Sequence, residues 1–422
     1  MSSIMLSSNA NSAMIQTVSA SDSLKNPNVY STETVFPAHA LTWVKCDSSS
    51  GSIGDGSQLN FQLQKYGIIS QMLLTYTKKF TPTVGAIHNT LPAGDVFKTI
   101  RQIELLASSK TVSILTAEDL MAQFSDCSQS EFNVVAKTAL KARAGVNYPA
   151  AAAGAPQPPA TAAMTDQKFV IPLCFPQFEM INCQLDSSFL EPLQVRITWN
   201  TVKSSSGGAT TTYAATGIEN CSLKMRYKNY SEQDTAAMIS ANYSAPQLNQ
   251  LSARFYDEAK KEVTTGATDL VGTMDIDLKN TECVESFYVL VRKKEAETAA
   301  DAVACLPISV LKFTGSGQEI CELDTVDLQF ARLGMDGWSE QVDTDTAASG
   351  VQLGNIGKIQ LGLNTKQKAT NSLSLREVNA PRIHVEWVSE VATTYEVTVV
   401  QKVLAVFATS SATGRYSLAL AN

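Results

Sequence analysis

Hydrophobic and polar residues alternate with a period of two over most of the chain, which is the spacing of a β-strand with one buried face. The alternation is clearest in four segments: 58–64 (QLNFQLQ), 193–199 (LQVRITW), 273–278 (TMDIDL) and 382–387 (RIHVEW). In the first of these, Leu59, Phe61 and Leu63 point to one side. Clusters of Gly, Ser, Pro and Asn separate the segments. The pattern predicts an all-β protein made of antiparallel strands.

Helix signals are few and short. They occur in three segments: 116–124, 231–239 and 325–333. In the first, Thr116 is the predicted N-cap, and Glu118 and Asp119 follow in the first turn, where acidic side chains are favourable. Ser231 is the predicted N-cap of the second segment. We therefore expect short helices that connect strands.

Three stretches are expected to lie outside the strands. The stretch 145–167 is rich in Ala, Pro and Gly, and 203–217 is rich in Ser, Gly and Thr, so both are predicted to be exposed loops. The first 24 residues contain no Lys or Arg and scatter their apolar residues among Ser and Asn. This predicts a flexible arm rather than a secretory signal, and a soluble protein that is made inside the cell and not secreted.

The chain repeats itself in three blocks that follow one another in the same order in both copies. The alignment places Phe61 on Ile276, Ile103 on Leu311, and Trp199 on Trp387. The first block covers two strands ending in paired lysines, the second a hairpin and a capped helix, and the third a late strand. Alternating strands match one another easily, but three ordered matches with explicable gaps indicate an internal duplication.

A repeated unit of roughly 180 to 200 residues with about eight strands predicts the fold. We expect two tandem eight-stranded jelly-roll β-sandwiches, a double jelly roll, with short connecting helices. The expected organisation is a flexible N-terminal arm at 1–28, a first jelly roll at 29–232 with a long loop near 126–166, a connecting helix or linker at 233–244, and a second jelly roll at 245–422. A fold this widely shared does not identify a function.

The search for catalytic motifs is negative. The chain has three histidines, His39, His88 and His384, which are far apart in sequence, so an imidazole-rich metal site lacks its ligands. No nucleophile elbow, zinc-protease motif or phosphate-binding loop is present. We therefore predict no catalytic, cofactor-binding or metal-binding residues, no cofactor, and no enzymatic activity.

Some side chains nevertheless have two interpretations. Three acidic pairs resemble glycosidase carboxylates: Asp275 and Asp277, Asp343 and Asp345, Glu322 and Asp324. The first pair alternates with apolar residues, which favours the solvated face of a strand. The lysine pairs 78/79 and 293/294, with Arg292, are predicted to be solvated charges at strand ends that could also contact a neighbour. Trp199 and Trp387 are predicted to be matched core or rim aromatics, and the eight cysteines to be free thiols.

The charge balance of the chain limits the classes of molecule that it can bind. The chain has 33 basic and 40 acidic residues and a net charge of −7. Neutralising nucleic-acid phosphates requires a basic surface, so the composition argues against a protein that wraps a genome. We expect no direct sequence-specific contact with nucleic acid.

Three segments resemble a known family. The segment 222–251 (SLKMRYKNYSEQDTAAMISANYSAPQLNQL) is similar to the junction of double jelly-roll major capsid proteins, in which a last strand is followed by a helix and a first strand. The segments 171–199 (IPLCFPQFEMINCQLDSSFLEPLQVRITW) and 371–387 (NSLSLREVNAPRIHVEW) resemble the entries to the late strands of each barrel. The resemblance spans roughly residues 30 to 410 and is to the PRD1/adenovirus-like lineage of icosahedral DNA viruses.

This resemblance implies a structural role in the virion. Family members form homotrimers whose six jelly rolls make a pseudo-hexameric tile of an icosahedral capsid assembled inside the host cell. The implied partners are neighbouring capsomer trimers and penton and minor capsid proteins, and a contact of the N-terminal arm with an internal membrane is left open. The alternative is a tandem jelly-roll protein that binds carbohydrate or a receptor, such as an adhesin or spike. A two-sandwich polysaccharide hydrolase or lyase is disfavoured because histidines are few.

Overall fold

The structure of the chain is a computed structural model. It describes residues 39–80, 95–126, 131, 134–135, 138–139, 165–173, 175, 178, 187, 191–200, 218–233, 247–266, 271–278, 283–293, 305–328, 355–361, 373–388, 394–411 and 416–420. Most of these residues lie in β-strands, as the alternating pattern predicts.

The elements fall into two groups along the chain. The first group is β1 (His39–Asp47), β2 (Ser50–Gly51), β3 (Gln58–Gln62), β4 (Ile68–Phe80), α1 (Asp95–Thr99), β5 (Ile100–Ala107), β6 (Lys110–Thr116), α2 (Ala117–Ser125), β7 (Thr165–Pro172), β8 (Leu193–Trp199) and β9 (Ile218–Tyr230). The second is β10 (Gln247–Thr264), β11 (Val271–Asp277), β12 (Cys283–Lys293), β13 (Ile308–Gly315), β14 (Gln318–Asp324), β15 (Gly357–Gln360), β16 (Leu373–Ser374), a 3-10 turn (Leu375–Glu377), β17 (Arg382–Val388), β18 (Thr394–Ser411) and β19 (Tyr416–Leu420).

Each group forms two antiparallel sheets. In the first sandwich the orders are β1-β9-β4-β7 and β2-β3-β8-β5-β6. In the second they are β10-β18-β12-β15 and β11-β17-β13-β14, with β16 paired to β12 and β19 to β18. The eight main strands of each sandwich, which leave out β2, β16 and β19, can be lettered B to I in chain order. With these letters, each sandwich has one B-I-D-G sheet and one C-H-E-F sheet. This is the jelly-roll order, so the predicted double jelly roll is confirmed.

The duplication holds at the level of single residues. Equivalent pairs stand opposite each other in both sandwiches: Ile103 with Ile197 and Leu311 with Val385, then Phe61 with Val195 and Ile276 with Ile383. The structure extends the repeat to strand I, which the sequence comparison did not reach, because Leu74 opposes Leu223 as Val289 opposes Val399. The two sandwiches can therefore be compared position by position.

Irregularities of the sheets are repeated as well. Three β-bulges recur at equivalent positions: Ile69/Gln71 and Val284/Ser286, Ile100/Gln102 and Ile308/Val310, Leu105/Leu106 and Phe313/Thr314. The E-F hairpins also share a two-residue turn with positive φ at both residues, Ser108 and Ser109 in one, Ser316 and Gly317 in the other.

A capping box begins the helix after strand F in both sandwiches. In the first, Thr116 Oγ1 accepts a hydrogen bond from the Asp119 amide at 3.2 Å, and Asp119 Oδ2 accepts one from the Thr116 amide at 2.8 Å. In the second, Asp324 Oδ1 accepts from the amides of Val326 and Asp327, each at 2.8 Å, and residues 325–328 are helical. The predicted N-cap Thr116 is confirmed, and the helix predicted from 325 has Asp324 as its cap.

Replacing Thr116 with alanine should lower the free energy of unfolding by about 1 kcal/mol, because the side-chain acceptor for the Asp119 amide is lost. Thr116→Ser keeps the hydroxyl and should stay within about 0.5 kcal/mol of the wild type. Urea unfolding with unchanged slope would measure the difference. Equal stabilities of the two variants would show that the cap does not contribute.

Each sandwich is built around a tryptophan. Trp199 and Trp387 are both fully buried at equivalent positions of strand H. Trp199 contacts Tyr76 edge-to-face with ring centroids 6.1 Å apart, and Trp387 contacts Tyr395 at 5.7 Å. Of the two predicted positions, core or rim, the structure confirms the core for both tryptophans.

Some helical residues lie outside the three segments for which the sequence pattern predicts helices. Helix α1 was not predicted, and residues 131, 134–135 and 138–139, inside the loop expected near 126–166, are helical. Val135 and Ala139 are buried in the core of the first sandwich. The arm at 1–28, residues 145–164 of the first predicted loop and the second predicted loop at 203–217 lie outside the described residues. The prediction of a loop is wrong for residues 165–167, which belong to β7. Within the described ranges, no helix has the length and apolar character needed to cross a membrane.

Candidate assembly surfaces

The outer C-H-E-F face of the second sandwich is ionic. Asp275 and Asp277 of β11 are exposed, Asp275 Oδ1 lies 2.8 Å from His384 Nδ1, and Asp277 Oδ1 accepts a 2.8 Å hydrogen bond from Arg382 Nε. On the neighbouring strands β13 and β14, Lys312 Nζ lies 2.5 Å from Glu322 Oε1. The interpretation of Asp275 and Asp277 as the solvated face of a strand is confirmed.

His384 is held between two carboxylates. Its Nε2 lies 3.1 Å from Glu386 Oε1, in addition to the contact with Asp275. Partial burial alone would lower the pKa of the imidazole, but hydrogen bonds to Glu386 and Asp275 outweigh it and raise the pKa above 6.5. Glu322, Lys312, His384 and Asp275 stand side by side on β14, β13, β17 and β11. Acidic and basic side chains therefore alternate across the sheet.

The raised pKa of His384 predicts a pH dependence with a definite sign. Its protonation stabilises the folded chain fully below pH 6.5, the ordinary pKa, and this contribution is lost as the pH rises through the folded pKa. NMR titration of the His384 ring should give a pKa above 6.5, and Asp275→Asn should lower it. A titration midpoint at or below 6.5 in the wild type would contradict the arrangement.

The equivalent face of the first sandwich is largely uncharged. Gln194 donates to Gln62 Oε1 at 2.8 Å, and Arg196 Nε donates to Asn60 Oδ1 at 3.2 Å. Arg196 Nη1 also lies 3.6 Å from Glu104 Oε2 on the next strand. The two sandwiches therefore present chemically different C-H-E-F faces on the same scaffold.

The prediction that Lys78 is a solvated charge is wrong. Its side chain is buried, with 1% exposure, and Nζ donates to Thr99 Oγ1 at 3.1 Å. Lys78 continues the inward-facing series of Leu74 and Tyr76 on β4, so the alternation of the strand takes it into the core. The end of α1, a helix that the sequence pattern does not indicate, provides the oxygen that satisfies it.

Arg292 is also buried, and the prediction of a solvated strand end is wrong for it too. Its Nη2 donates to Glu118 Oε1 of α2 at 2.6 Å and to Glu396 Oε1 of β18 at 2.8 Å. Burial alone would lower the pKa of the guanidinium, but the Glu118 carboxylate outweighs it and raises the pKa. Arg292 thus joins the second sandwich to the helix of the first.

A second buried ion pair crosses the same contact. Lys358 Nζ on β15 donates to Asp126 Oδ1 at the end of α2 at 2.6 Å, and the Tyr288 hydroxyl donates to Asp126 Oδ2 at 2.9 Å. Burial raises the pKa of Asp126, but the charge of Lys358 outweighs it and holds that pKa below its ordinary value. Burial lowers the pKa of Lys358, and Asp126 offsets part of that effect. The pair thus stabilises the charged form of Asp126, whereas the pKa of Lys358 stays below its ordinary value.

Together these residues define the intrachain contact. It consists of α2 and Asp126 of the first sandwich against the outer B-I-D-G face of the second. Apolar side chains of that face complete it by packing into the core of the first sandwich: Tyr288, Leu290, Cys305, Ile356 and Val400. At the bulge of β12, the buried Glu285 accepts a 3.1 Å hydrogen bond from Lys402.

The equivalent outer B-I-D-G face of the first sandwich is exposed. We call it the basic-aromatic face, because it carries Leu41, Trp43, Lys45, Leu73, Lys224, Arg226 and Lys228 on β1, β4 and β9. Leu41 and Trp43 are 53% and 49% exposed. The Arg226 guanidinium lies 5.7 Å from the centroid of the Trp43 ring. Large exposed apolar side chains within a cationic surface are typical of an interaction site.

The comparison with known proteins rests on structure. No family model matches the sequence, and no curated protein matches it. The fold matches PBCV-1 VP54, as fitted into a reconstruction of the virophage Sputnik, with a TM-score of 0.64 and 11% identity over 93% of this chain and 100% of that one. The chain has the double jelly-roll fold of viral major capsid proteins.

Two further major capsid proteins share this double jelly roll. The mavirus protein matches with a TM-score of 0.54 and 12% identity, over 96% of this chain and 95% of that one. The Faustovirus protein matches with a TM-score of 0.56 and 9% identity, over 90% of this chain and 92% of that one. At these identities the comparisons establish the fold and not the residues of any interface.

The thiols and acids of the double jelly roll give no indication of catalysis. In the described ranges, Cys46 and Cys305 are buried, and Cys221 and Cys321 are half-buried. Burial raises the pKa of Cys221 to about 12, which makes it a poor nucleophile. No group of three or more potential metal-binding side chains occurs in that part of the chain. Asp343 and Asp345 lie outside it, and the predicted absence of a catalytic site stays a prediction.

The residues of the intrachain contact were not found from the sequence. Glu118 and Arg292 are 174 positions apart, and Asp126 and Lys358 are 232 apart. Their side chains sit on elements that alternation does identify, but no local spacing relates them. One signal could have identified them: each is a charged residue at a strand position that faces a core or another sandwich. Comparing the two copies of the repeat reveals such positions once the pairing of the strands is known.

Proposed function

We propose that the chain is a major capsid protein, a structural subunit of an icosahedral virus shell with no enzymatic activity. The observation that carries the proposal is the match of both jelly rolls together, in order, over at least 90% of this chain and of each of the three major capsid proteins compared. A single jelly roll is shared by many functions, but a tandem pair matched along its full length is far more specific. The location that follows is the virion.

We further propose a homotrimer. Two similar sandwiches in one chain give six similar sandwiches in three copies, which is the outline needed for a hexagonal tile. A closed ring leaves no unmatched copy of a head-to-tail surface, and a specific interface needs to bury at least about 1,000 Å². The partners of the trimer would be neighbouring trimers and penton and minor capsid proteins. Assembly would take place inside the host cell.

The proposed domain boundaries follow the predicted ones: an arm at 1–28, jelly rolls at 29–232 and 245–422, and a linker at 233–244. In support, β9 ends at Tyr230, residues 232–233 are helical, and β10 begins at Gln247. The connection is short enough for the two sandwiches to pack through the buried ion pairs of the intrachain contact. We propose that this contact makes each chain a rigid two-sandwich unit.

The charged outer faces suit contacts between tiles. Exposed ion pairs contribute little individually and are screened by salt, so contacts made through them can form and break during assembly. The C-H-E-F face of the second sandwich is ionic, and that of the first is largely uncharged. This difference would give neighbouring tiles distinguishable edges. We expect assembly to depend on ionic strength.

Negative-stain electron microscopy of the purified chain tests this function. We expect particles with hexagonal outline, and sheets or shells of them at high protein concentration. A glycan array tests the alternative of a carbohydrate-binding or receptor-binding protein, for which no observation favours a site. A monomer that binds a defined glycan and never forms hexagonal particles would overturn the capsid proposal.

A further inference from the structure

The internal repeat provides each sandwich with both halves of the intrachain contact. One half is the helix that follows strand F, and the other is the outer B-I-D-G face. Within one chain the helix of the first sandwich covers the face of the second. On the remaining pair of surfaces, Leu41 and Trp43 of the basic-aromatic face and Val326 of the helical segment 325–328 are exposed. We propose that these two surfaces bind each other between copies of the chain.

The basic-aromatic face matches the covered face position by position. Arg226 of β9 occupies the place of Lys402 of β18, and Leu73 of β4 occupies the place of Tyr288 of β12. Trp43 stands opposite Arg226 in the same register in which Phe255 stands opposite Lys402. The face that is covered inside the chain and the face that is exposed are thus built on one register.

The helical segment of the second sandwich presents the other half. Val326 is equivalent to Glu118 of α2, which is 7% exposed because it lies in the intrachain contact, whereas Val326 is 55% exposed. The partner of Glu118 is Arg292, and the residue equivalent to Arg292 on the basic-aromatic face is Thr77. The buried ion pair of the intrachain contact is therefore replaced by valine and threonine in the proposed contact between copies. Such a contact does not bury an ion pair and avoids its desolvation cost.

Charge complementarity identifies a second copy as the occupant. The basic-aromatic face carries four cations, Lys45, Lys224, Arg226 and Lys228. It also carries two acids, Asp47, which lies 2.8 Å from Lys45, and Glu219, which stands opposite Thr77, so the cations outnumber the acids. Val326 is flanked in the chain by three acids, Glu322, Asp324 and Asp327. Glu322 is paired with Lys312, and Asp324 accepts the capping hydrogen bonds. The intrachain contact has the same polarity, because acids of the first sandwich meet cations of the second. Complementary charge around an apolar centre favours specific pairing of these two surfaces.

The proposed contact is head-to-tail. A head-to-tail contact joins different surfaces of two copies, so it closes into a ring or continues as a filament. Because every chain contributes two sandwiches, a closed ring alternates intrachain and interchain contacts that share one register. This inference rests on the proposed function, and it names the residues through which the proposed trimer would close.

Sedimentation velocity of matched variants tests the contact. Val326→Glu places an unpaired carboxylate in the interface, and Trp43→Glu removes its aromatic centre, so each should weaken oligomer formation about tenfold or more. The double variant with Thr77→Arg and Val326→Glu recreates the pair formed by Arg292 and Glu118 and should restore the oligomer. Val134→Glu, at a comparably exposed valine that belongs to neither proposed surface, is the matched control and should sediment like the wild type.

The outcomes separate this contact from the function itself. If the wild type is oligomeric and both Trp43→Glu and Val326→Glu leave the oligomer unchanged, the contact is wrong and the capsid proposal stands. If the wild type is a monomer under all conditions, the capsid proposal fails. Circular dichroism of each variant controls for folding, and the rescue by Thr77→Arg keeps the test decisive if one single variant is poorly folded. Trp43-dependent binding to phosphatidylserine vesicles, with an unchanged oligomer, would instead assign the face to a membrane.

Discussion

Replacing Lys358 with methionine is expected to lower the free energy of unfolding by about 3–5 kcal/mol, because it leaves the Asp126 carboxylate buried without its cation. Lys358 and Asp126 side chains are only 5% and 14% exposed, and their atoms approach to 2.6 Å. The remaining hydrogen bond from Tyr288 does not balance the charge. Denaturant unfolding measures the loss, and calorimetry should show whether the two sandwiches still unfold together.

Two variants control this result. Lys312→Met removes an equally short but exposed pair with Glu322 and should have a much smaller effect, since exposed pairs contribute little. Adding Asp126→Asn to Lys358→Met removes the unpaired charge and should recover part of the loss. Equal effects of Lys358→Met and Lys312→Met would contradict the assignment of a buried, coupled pair.

The same pair predicts acid sensitivity. The folded pKa of Asp126 lies below its ordinary value of 3.8, so its contribution to stability is fully present above that pH. The contribution is lost as the pH falls through the folded pKa. The stability of Lys358→Met should therefore fall less than that of the wild type between pH 4 and pH 2, about the range in which a depressed carboxyl pKa acts.

Replacing Trp387 with alanine is expected to cost about 3–5 kcal/mol, and Trp199→Ala a similar amount, because each removes the largest fully buried side chain of its sandwich. The indole of Trp387 fills the space above Gly272, where any Cβ would overlap it. Trp387→Phe keeps part of the ring and should cost clearly less than Trp387→Ala. Thermal and urea unfolding measure these differences.

The comparison between the two tryptophans is itself informative. If the duplicated sandwiches are independent cores, the losses of Trp199→Ala and Trp387→Ala should add in the double variant within about 0.5 kcal/mol. A loss near zero for either single variant would show that its indole is not a packed core element.

The elements and their order could be predicted because alternation is a local property. The buried series of Leu59, Phe61 and Leu63 and the matched tryptophans are encoded in short segments, and the duplication added the pairing of the sheets. The burial of Lys78 could have been inferred from the inward series on β4, but its polar partner belongs to α1, which has no clear sequence signal. The charge of Lys78 favours a solvated position, whereas the periodicity of the strand places it inward.

The candidate surfaces could not be predicted in the same way. Whether Arg292 is solvated depends on a helix 174 residues away, and the exposure of Trp43 depends on which sandwich covers which. Both are properties of how two similar units pack. The repeat in the sequence already aligns Val326 with Glu118, but their opposite exposure is seen only in the structure.

The most direct test of the account is the mass of the purified full chain in solution by sedimentation equilibrium. The account predicts a complex of three copies, each of 45.4 kDa, stable at micromolar concentration and able to associate further into hexagonal arrays. A single species of 45.4 kDa at every protein and salt concentration would contradict the claim that this double jelly roll is a capsid-building protein.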